Sequence, residues 1–450
     1  MTQALKTFLA GNSFCQPLVA HWRGNRLFRS VATIAGGTVF AQGLSLLSSP
    51  ITTRLYGPAD YGTVAVFTSA VATLLLLATW RYEMAIVLPK SDEDARSVLW
   101  CCLLLSCCVS VLTAVGFFFF GHWLFDVLKV PQLYRFWWML PPTLLGASLY
   151  QCFSIWALRR KAYSDVSKSK VRQAIAGTSV TLAIGSLWKG PLGLLLGSFC
   201  SMSMGVRRLS RGSSWLERGV GLSAVLRRAY QALRAYGKFS VLTTVSTLLA
   251  NIGAFLAPIV FAAFYSGTMV GHFSLAQRLV FLPSTLLGTA VAQVFVAEAS
   301  DILRTRPEEM PHFFRKITRQ MAPLGACILV VGAFCPWVFP LAFGARWQTA
   351  GVFAAVLSVL AAVQIVVGPI SDISILRKRM DVQLGLGVLR AIMILTSIWL
   401  PGYLGWSPLM AVVSYTIGTS LINFISFYCY QRIARHIHPV EAPAPAEVGA

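Results

Sequence analysis

The sequence predicts an all-α, polytopic membrane protein of about twelve transmembrane helices in two halves of six. Three observations carry that reading. The 450 residues are 56% hydrophobic and only 12% charged, with a mean hydropathy of +0.67; a soluble chain carries about 25% charged residues. About a dozen apolar stretches run close to the roughly 20 residues that cross a bilayer. The short loops between them alternate between Lys/Arg-rich and nearly Lys/Arg-free, the asymmetry that orients membrane proteins.

Taken in order, the expected spans are 31–53, 63–88, 97–120, 136–157, 174–188, 191–206, 239–264, 273–297, 321–343, 350–371, 383–400 and 407–430. The N-terminus, every second loop and the C-terminus together hold 30 Lys and Arg, and the intervening loops hold 5. The basic side is the cytoplasmic side by that rule, so both termini are expected in the cytoplasm. Spans five and six are short. Lys189-Gly190-Pro191 between them is turn chemistry. One long span would instead put the eight basic residues of 207–238 outside, so a hairpin is expected.

The domains follow. Residues 1–30 are a basic cytoplasmic extension, with a cleaved signal peptide as the alternative. Residues 31–206 are an N-terminal six-helix bundle. Residues 207–238 are a basic linker, 239–430 a C-terminal six-helix bundle and 431–450 a tail. Within the linker, Leu222, Val225, Leu226, Ala229, Tyr230 and Leu233 recur at helical spacing opposite Arg227, Arg228 and Arg234. That pattern predicts a basic amphipathic helix at the lipid interface. The halves echo each other: Tyr56 to Gly62 parallels Tyr265 to Gly271, 209 positions on. Repeats of this kind build many transporters, with the substrate path at their interface.

Charges inside a bilayer cost roughly 2.5–3.5 kcal/mol each on insertion scales, so those that persist need a role. Arg81, Glu83, Arg278 and Arg390 fall within spans. Three arginines against one carboxylate describe a cationic interior. Guanidinium binds phosphate with two parallel hydrogen bonds and keeps its charge, which suits an anionic substrate. Arg81 and Glu83 could equally pair with each other or snorkel. Pro50, Pro141-Pro142, Pro258, Pro283, Pro323 and Gly368-Pro369 offer kinks, static or hinged.

Several classes are excluded. The net charge of +22 sits in membrane-flanking loops, so nucleic acid is not the expected partner. Cys101, Cys102, Cys107 and Cys108 cluster in one apolar span without histidine, which reads as packing rather than a metal site. The six histidines fall in loops, tails or span edges. No GxxxxGK[ST] motif appears, so no nucleotide is used directly. No cofactor is implied. The first outer loop, RLYGPADYG, offers only Asp60, and no large outer loop exists, which argues against a membrane glycosyltransferase or polymerase.

Four segments carry a resemblance. ITTRLYGPADYGTVAVFTS (51–69), RYEMAIVLPKSDEDA (81–95), GHFSLAQRLVFLPSTLLGTAVAQVFVAEAS (271–300) and GPISDISILRKRMDVQ (368–383) resemble, in order, segments of Wzx-like polysaccharide flippases. These form the polysaccharide transporter branch of the multidrug/oligosaccharidyl-lipid/polysaccharide superfamily. The family's aromatic-Pro pair after Tyr236 is replaced here by Gly237-Lys238-Phe239-Ser240. The resemblance implies two six-helix bundles around a central cavity that opens to each side alternately. It implies an undecaprenyl-diphosphate-linked oligosaccharide moved from the cytoplasmic to the outer leaflet of the inner membrane, and no enzymatic step. Implied partners are that lipid-linked substrate, membrane lipids, and the polysaccharide polymerase and chain-length machinery. Arg81, Arg278, Arg390, Gln277 and Gln293 fall on matching segments as cavity candidates. Glu83, Glu298 and Asp372 are the candidates for coupling or ion pairing. A multidrug antiporter of the same superfamily would want buried carboxylates, and the arginine excess argues against it.

Overall fold

A computed structural model describes residues 26–127, 131–211, 222–377 and 379–435. Most of the expected N-terminal extension, residues 212–221 of the linker and the tail beyond 435 lie outside the described residues. Twelve principal helices follow one another: α1 (Arg26–Leu55), α2 (Pro58–Thr79), α3 (Asp92–Val127), α4 (Leu140–Arg159), α5 (Tyr163–Leu187), α6 (Leu192–Ser203), α7 (Leu222–Phe264), α8 (Gly267–Thr305), α9 (Met310–Phe343), α10 (Gln348–Val367), α11 (Met380–Tyr403) and α12 (Pro408–Arg435). Eight of them are long and apolar enough to cross a membrane: α1–α3 and α8–α12. No strand occurs among the described residues. Helix is what the bilayer demands, because it satisfies every backbone polar group within one segment.

Most helices overrun their expected spans. α9 begins at Met310 where the hydropathy places a span from 321, and α5 begins at Tyr163 rather than 174. The extra turns are polar, so hydropathy assigns them to loops. The expected hairpin forms: the chain leaves helix over Trp188–Pro191, with Gly190 at φ +116, and α6 returns. α6 has only 12 residues, about 18 Å.

Two features depart from expectation. The linker's amphipathic segment is not separate but continues unbroken into span seven as the 43-residue α7. Its Ala229 and Ala232 are buried against the N-terminal half, and Tyr82 donates a hydrogen bond to the Leu233 carbonyl (2.9 Å). Leu226 and Tyr230 remain exposed. Expected span two, 63–88, is also broken. α2 stops at Thr79, Trp80 and Arg81 are left-handed (φ 46 and 56), and Tyr82–Val87 forms a tight helical turn. Arg159 pins this break to α4. It donates from Nη1 to the carbonyls of Ile86 (3.1 Å) and Pro89 (2.8 Å), and from Nη2 to Asp92 (3.1 Å).

The buried apolar residues reveal how the halves meet. At one end a single core joins both: Tyr61, Phe67 and Leu195 of α2 and α6 pack with Phe261, Phe273, Phe353 and Tyr415 of the C-terminal half. At the other end the core divides. One cluster holds the N-terminal half around Tyr82, Leu99, Cys102, Phe153 and Trp156, joined by the two alanines of α7. Another holds Phe295, Phe314, Ile370, Ile422 and Tyr430 of the C-terminal half. The halves are thus fused at one end and split at the other. The split end carries the basic loops.

The fused end is closed by backbone. A Cβ on Gly271 of α8 would lie 2.6 Å from the Pro58 carbonyl carbon, and one on Gly62 of α2 would lie 2.8 Å from the Gly267 carbonyl carbon. Only glycine lets the two helix starts approach so closely. Trp347, fully buried, donates its indole N–H to the Thr53 carbonyl (3.1 Å), and Arg346 donates to the Arg54 carbonyl (3.2 Å).

Candidate functional site

Between the halves lies a cavity of about 700 Å3 whose walls come from α1, α2 and α6 on one side and α7, α8, α10, α11 and α12 on the other. Arg278, Gln277 and Arg390 all line it. Three of the five cavity candidates, two on α8 and one on α11, are therefore brought to one chamber. No Asp or Glu is among its lining residues.

The local sequence explains the arrangement. α8 buries Phe273 and Ala276 toward the core and turns Gln277 and Arg278 toward the cavity. Pro283, one turn and a half later, cannot donate to the ladder and loosens the helix behind them. Gln277 lies beside the buried Tyr415 on the same wall. Arg278, an exposed residue on the chamber wall, donates from Nη2 to the Ser45 hydroxyl of α1, bridging the halves. Nearby, Tyr61 and Thr52 share a hydrogen bond of 2.8 Å.

Arg390 is half-buried, and its Nε has no hydrogen-bond partner. On α12 the buried Thr419 hydroxyl, also on the wall, likewise has none. Buried polar atoms are normally satisfied, and each exception asks for a partner.

Arg81 and Gln293 do not line the chamber. Because the chain leaves helix at Trp80, Arg81 turns back to pair with Glu83 (Nη1 to Oε1, 3.5 Å). Glu83 is fully buried and accepts from Gln151 Nε2 at 2.7 Å, with its second oxygen unpartnered. This is a structural polar cluster within the N-terminal half. Gln293 lies 16 residues beyond Gln277, which turns it about 160° around the helix, and it is exposed. Glu298 is exposed near the split end of α8. Asp372 sits half-buried between α10 and α11, where burial raises its pKa above the ordinary 3.8.

Two groups escape sequence reasoning. A second chamber of about 420 Å3 adjoins the first and shares Gln42, Tyr61, Ser198, Ser201 and Arg278 with it. Lys170 of α5 lines this chamber and donates to Thr38 Oγ1 (2.9 Å). Its charge reads as a loop charge by hydropathy. The signal that reveals it is the buried stripe Val166, Ser169, Gln173, Gly177 and Thr181, whose helical spacing runs through the assumed loop boundary. His272, at a span edge in the sequence, is buried with Nδ1 unpartnered, its ring edge-on to Trp347 (5.5 Å).

Comparison with known proteins agrees with this architecture. The fold is similar to the lipid II flippase MurJ in an inward closed conformation, with TM-score 0.70 and 12% identity over 88% of this chain and 86% of that one. It is also similar to an inward-facing multidrug resistance MATE family transporter of the MOP superfamily, with TM-score 0.62 and 16% identity over 87% and 94% of the two chains. In sequence it is 24% identical over 320 residues to the succinoglycan biosynthesis transport protein ExoT of Rhizobium meliloti (strain 1021). That alignment takes in 68% of this chain and spans 60% of the relative's length. A family model described as polysaccharide biosynthesis protein matches residues 51–352, more than half of the sequence. On that match, and with eight helices long and apolar enough to cross a membrane, the chain is a multi-pass membrane protein belonging to the polysaccharide biosynthesis protein family.

Proposed function

We propose that the protein is a flippase for a polyprenyl-diphosphate-linked oligosaccharide, undecaprenyl in bacteria, working by alternating access in surface polysaccharide assembly. It performs no covalent chemistry. The observation that carries this is the pair Arg278 and Arg390 on the walls of one central chamber that holds no lining carboxylate. A diphosphate and sugars cannot cross hydrocarbon, because stripping water from charged and polar groups costs too much. A cationic polar chamber replaces that water while the prenyl tail stays in lipid. Arg278 and Arg390 grip the diphosphate, Gln277 and Tyr415 orient around it, and Arg81, Gln293 and Glu298 stand outside the grip. Glu83 and Asp372 are the coupling candidates.

The charge bias supports a cytoplasmic position for the split, basic end and for both termini, and the proposed cargo fits a bacterial inner membrane. The chamber then loads from the cytoplasmic leaflet, and the glycine-packed end faces outward. A product delivered outside meets polymerase and chain-length machinery. A cation-exporting antiporter on the same fold is disfavoured by a chamber with two arginines and no carboxylate.

Complementation of a strain lacking its own flippase tests the reading, with wild type beside Arg278→Ala and Arg278→Lys. Wild type restores polymer, whereas Arg278→Ala leaves the lipid-linked intermediate on the cytoplasmic side at normal protein level. Intermediate reaching the outer leaflet equally well with Arg278→Ala and Arg390→Ala removes the arginine grip. Export of cationic dyes dependent on this chain, without effect on the intermediate, removes the flippase reading itself.

A further inference from the structure

The side chamber carries a lysine, Lys170, where the main one carries Arg390. Its walls, from α1, α2, α5 and α6 with Arg278 of α8 at the doorway, mix apolar surface with many hydroxyls and amides, among them Ser45, Ser49, Gln173, Thr178 and Thr181. Sugar hydroxyls donate and accept at once and match such walls. Lys170 adds one positive charge. No Asp or Glu lines the chamber, and the carboxylate on its own helix, Asp165, is already paired with Arg208 (2.9 Å). Thr38 only orients the ammonium, leaving two of its three donors for a guest.

We infer that this chamber is a subsite for the glycan of the cargo, and that Lys170 selects a sugar carrying a carboxylate. The inference rests on the transport reading above. Continuity between chambers through Arg278 and Tyr61 sets the order of the ligand: diphosphate at Arg278 and Arg390, glycan reaching between α1 and α5, tail in lipid. A lysine is a compact, mobile charge, suited to an anionic substituent whose position varies, whereas the arginines suit the fixed fork of a phosphate.

Equilibrium binding to the full chain in lipid nanodiscs separates the possibilities. The probes are inorganic pyrophosphate, a neutral oligosaccharide and a glucuronate-bearing oligosaccharide of the same length. Wild type is expected to prefer the acidic oligosaccharide about tenfold, the size of one hydrogen bond to a charged group. Lys170→Met abolishes that preference and leaves pyrophosphate affinity unchanged, and Lys170→Arg, which keeps the charge and checks folding, retains it. Equal affinity of wild type for the two oligosaccharides, or a preference that survives Lys170→Met, overturns the subsite. So does a loss of pyrophosphate affinity in Lys170→Met, which would place the diphosphate at this lysine. Failure of pyrophosphate to bind wild type at all overturns instead the transport reading beneath it.

Discussion

Replacing Gly271 by alanine is expected to shift the protein from the split-end-open form toward the form open at the other end. The new Cβ would lie 2.6 Å from the Pro58 carbonyl carbon and 3.0 Å from the Gly62 nitrogen. Both obstacles are backbone, so no rotamer change relieves them, and α2 and α8 must separate. Overpacking of this kind costs about 1–3 kcal/mol. Alanine's helix preference over glycine applies to α8 in either conformation and cancels from the equilibrium. The clash exists only where the two helix starts touch, so the whole cost enters the balance. That is a shift of roughly 5- to 150-fold in population. The assay is the labelling rate of a cysteine placed at the cavity residue Thr68, using an impermeant thiol reagent from outside the cell. The background is a parent with its exposed cysteines replaced. Gly288→Ala, on the same helix with open space at its Cβ, is the control and leaves the rate unchanged. A labelling rate in Gly271→Ala no higher than in its parent, at normal protein level, refutes the idea that glycine packing holds this end shut.

Other expectations rest on single groups. Trp347→Phe keeps the buried ring but removes the bond to the Thr53 carbonyl, and should lower stability by about 1 kcal/mol, read as a fall in Tm in detergent. Arg81→Ala leaves the fully buried Glu83 facing Gln151 alone, a loss of roughly 3 kcal/mol, at the low end for a broken buried pair because Arg81 keeps some exposure; the same melting experiment checks it. Asp372→Asn should stabilise near neutral pH. Burial raises this carboxyl in the fold, so the folded state binds protons more readily than the unfolded one and stability falls as pH rises through the raised value. The gain should therefore shrink as pH drops toward 3.8 and be absent below it, seen as converging Tm values of variant and wild type.

Hydropathy and charge alternation suffice for the helix order because the bilayer imposes both. They fail where tertiary contacts decide. Nothing in Thr79-Trp80-Arg81 signals a helix end: no glycine or proline stands there, and the break is held by Arg159, 78 residues away in sequence, and by the Arg81–Glu83 pair. Arg81 is legible as a charge in a span, but which way it turns is not. Arg278 and Arg390 are legible as costly intramembrane charges, while their meeting in one chamber depends on how α8 and α11 pack. Lys170 is hidden because a window of hydropathy counts Lys168, Lys170 and Arg172 as loop, although the buried face of α5 continues beneath them.

The internal repeat explains which features are shared and which are not. Tyr56 and Tyr265, 209 positions apart, do the same work: Tyr56 donates to the Thr181 carbonyl in the fifth helix of its half (2.6 Å), and Tyr265 donates to the Trp406 carbonyl just after the fifth helix of its own (3.1 Å). Gly62 and Gly271, at the same offset, pack the repeats together. Carried seven residues further, about two turns, the same offset pairs Arg278 with Ser69, and both line the chamber. The frame is therefore duplicated where closure needs two matching helix starts, and the charge is not. A symmetric pair of arginines facing each other there would repel one another in a low dielectric. With Ser69 opposite, Arg278 can reach Ser45 on the other half when empty and exchange that hydroxyl for a phosphate oxygen when loaded. Ser45→Ala should accordingly tighten pyrophosphate binding rather than weaken it, because the competing partner is gone. Weaker binding in that variant, with unchanged Tm, would show instead that Ser45 orients the guanidinium for its ligand.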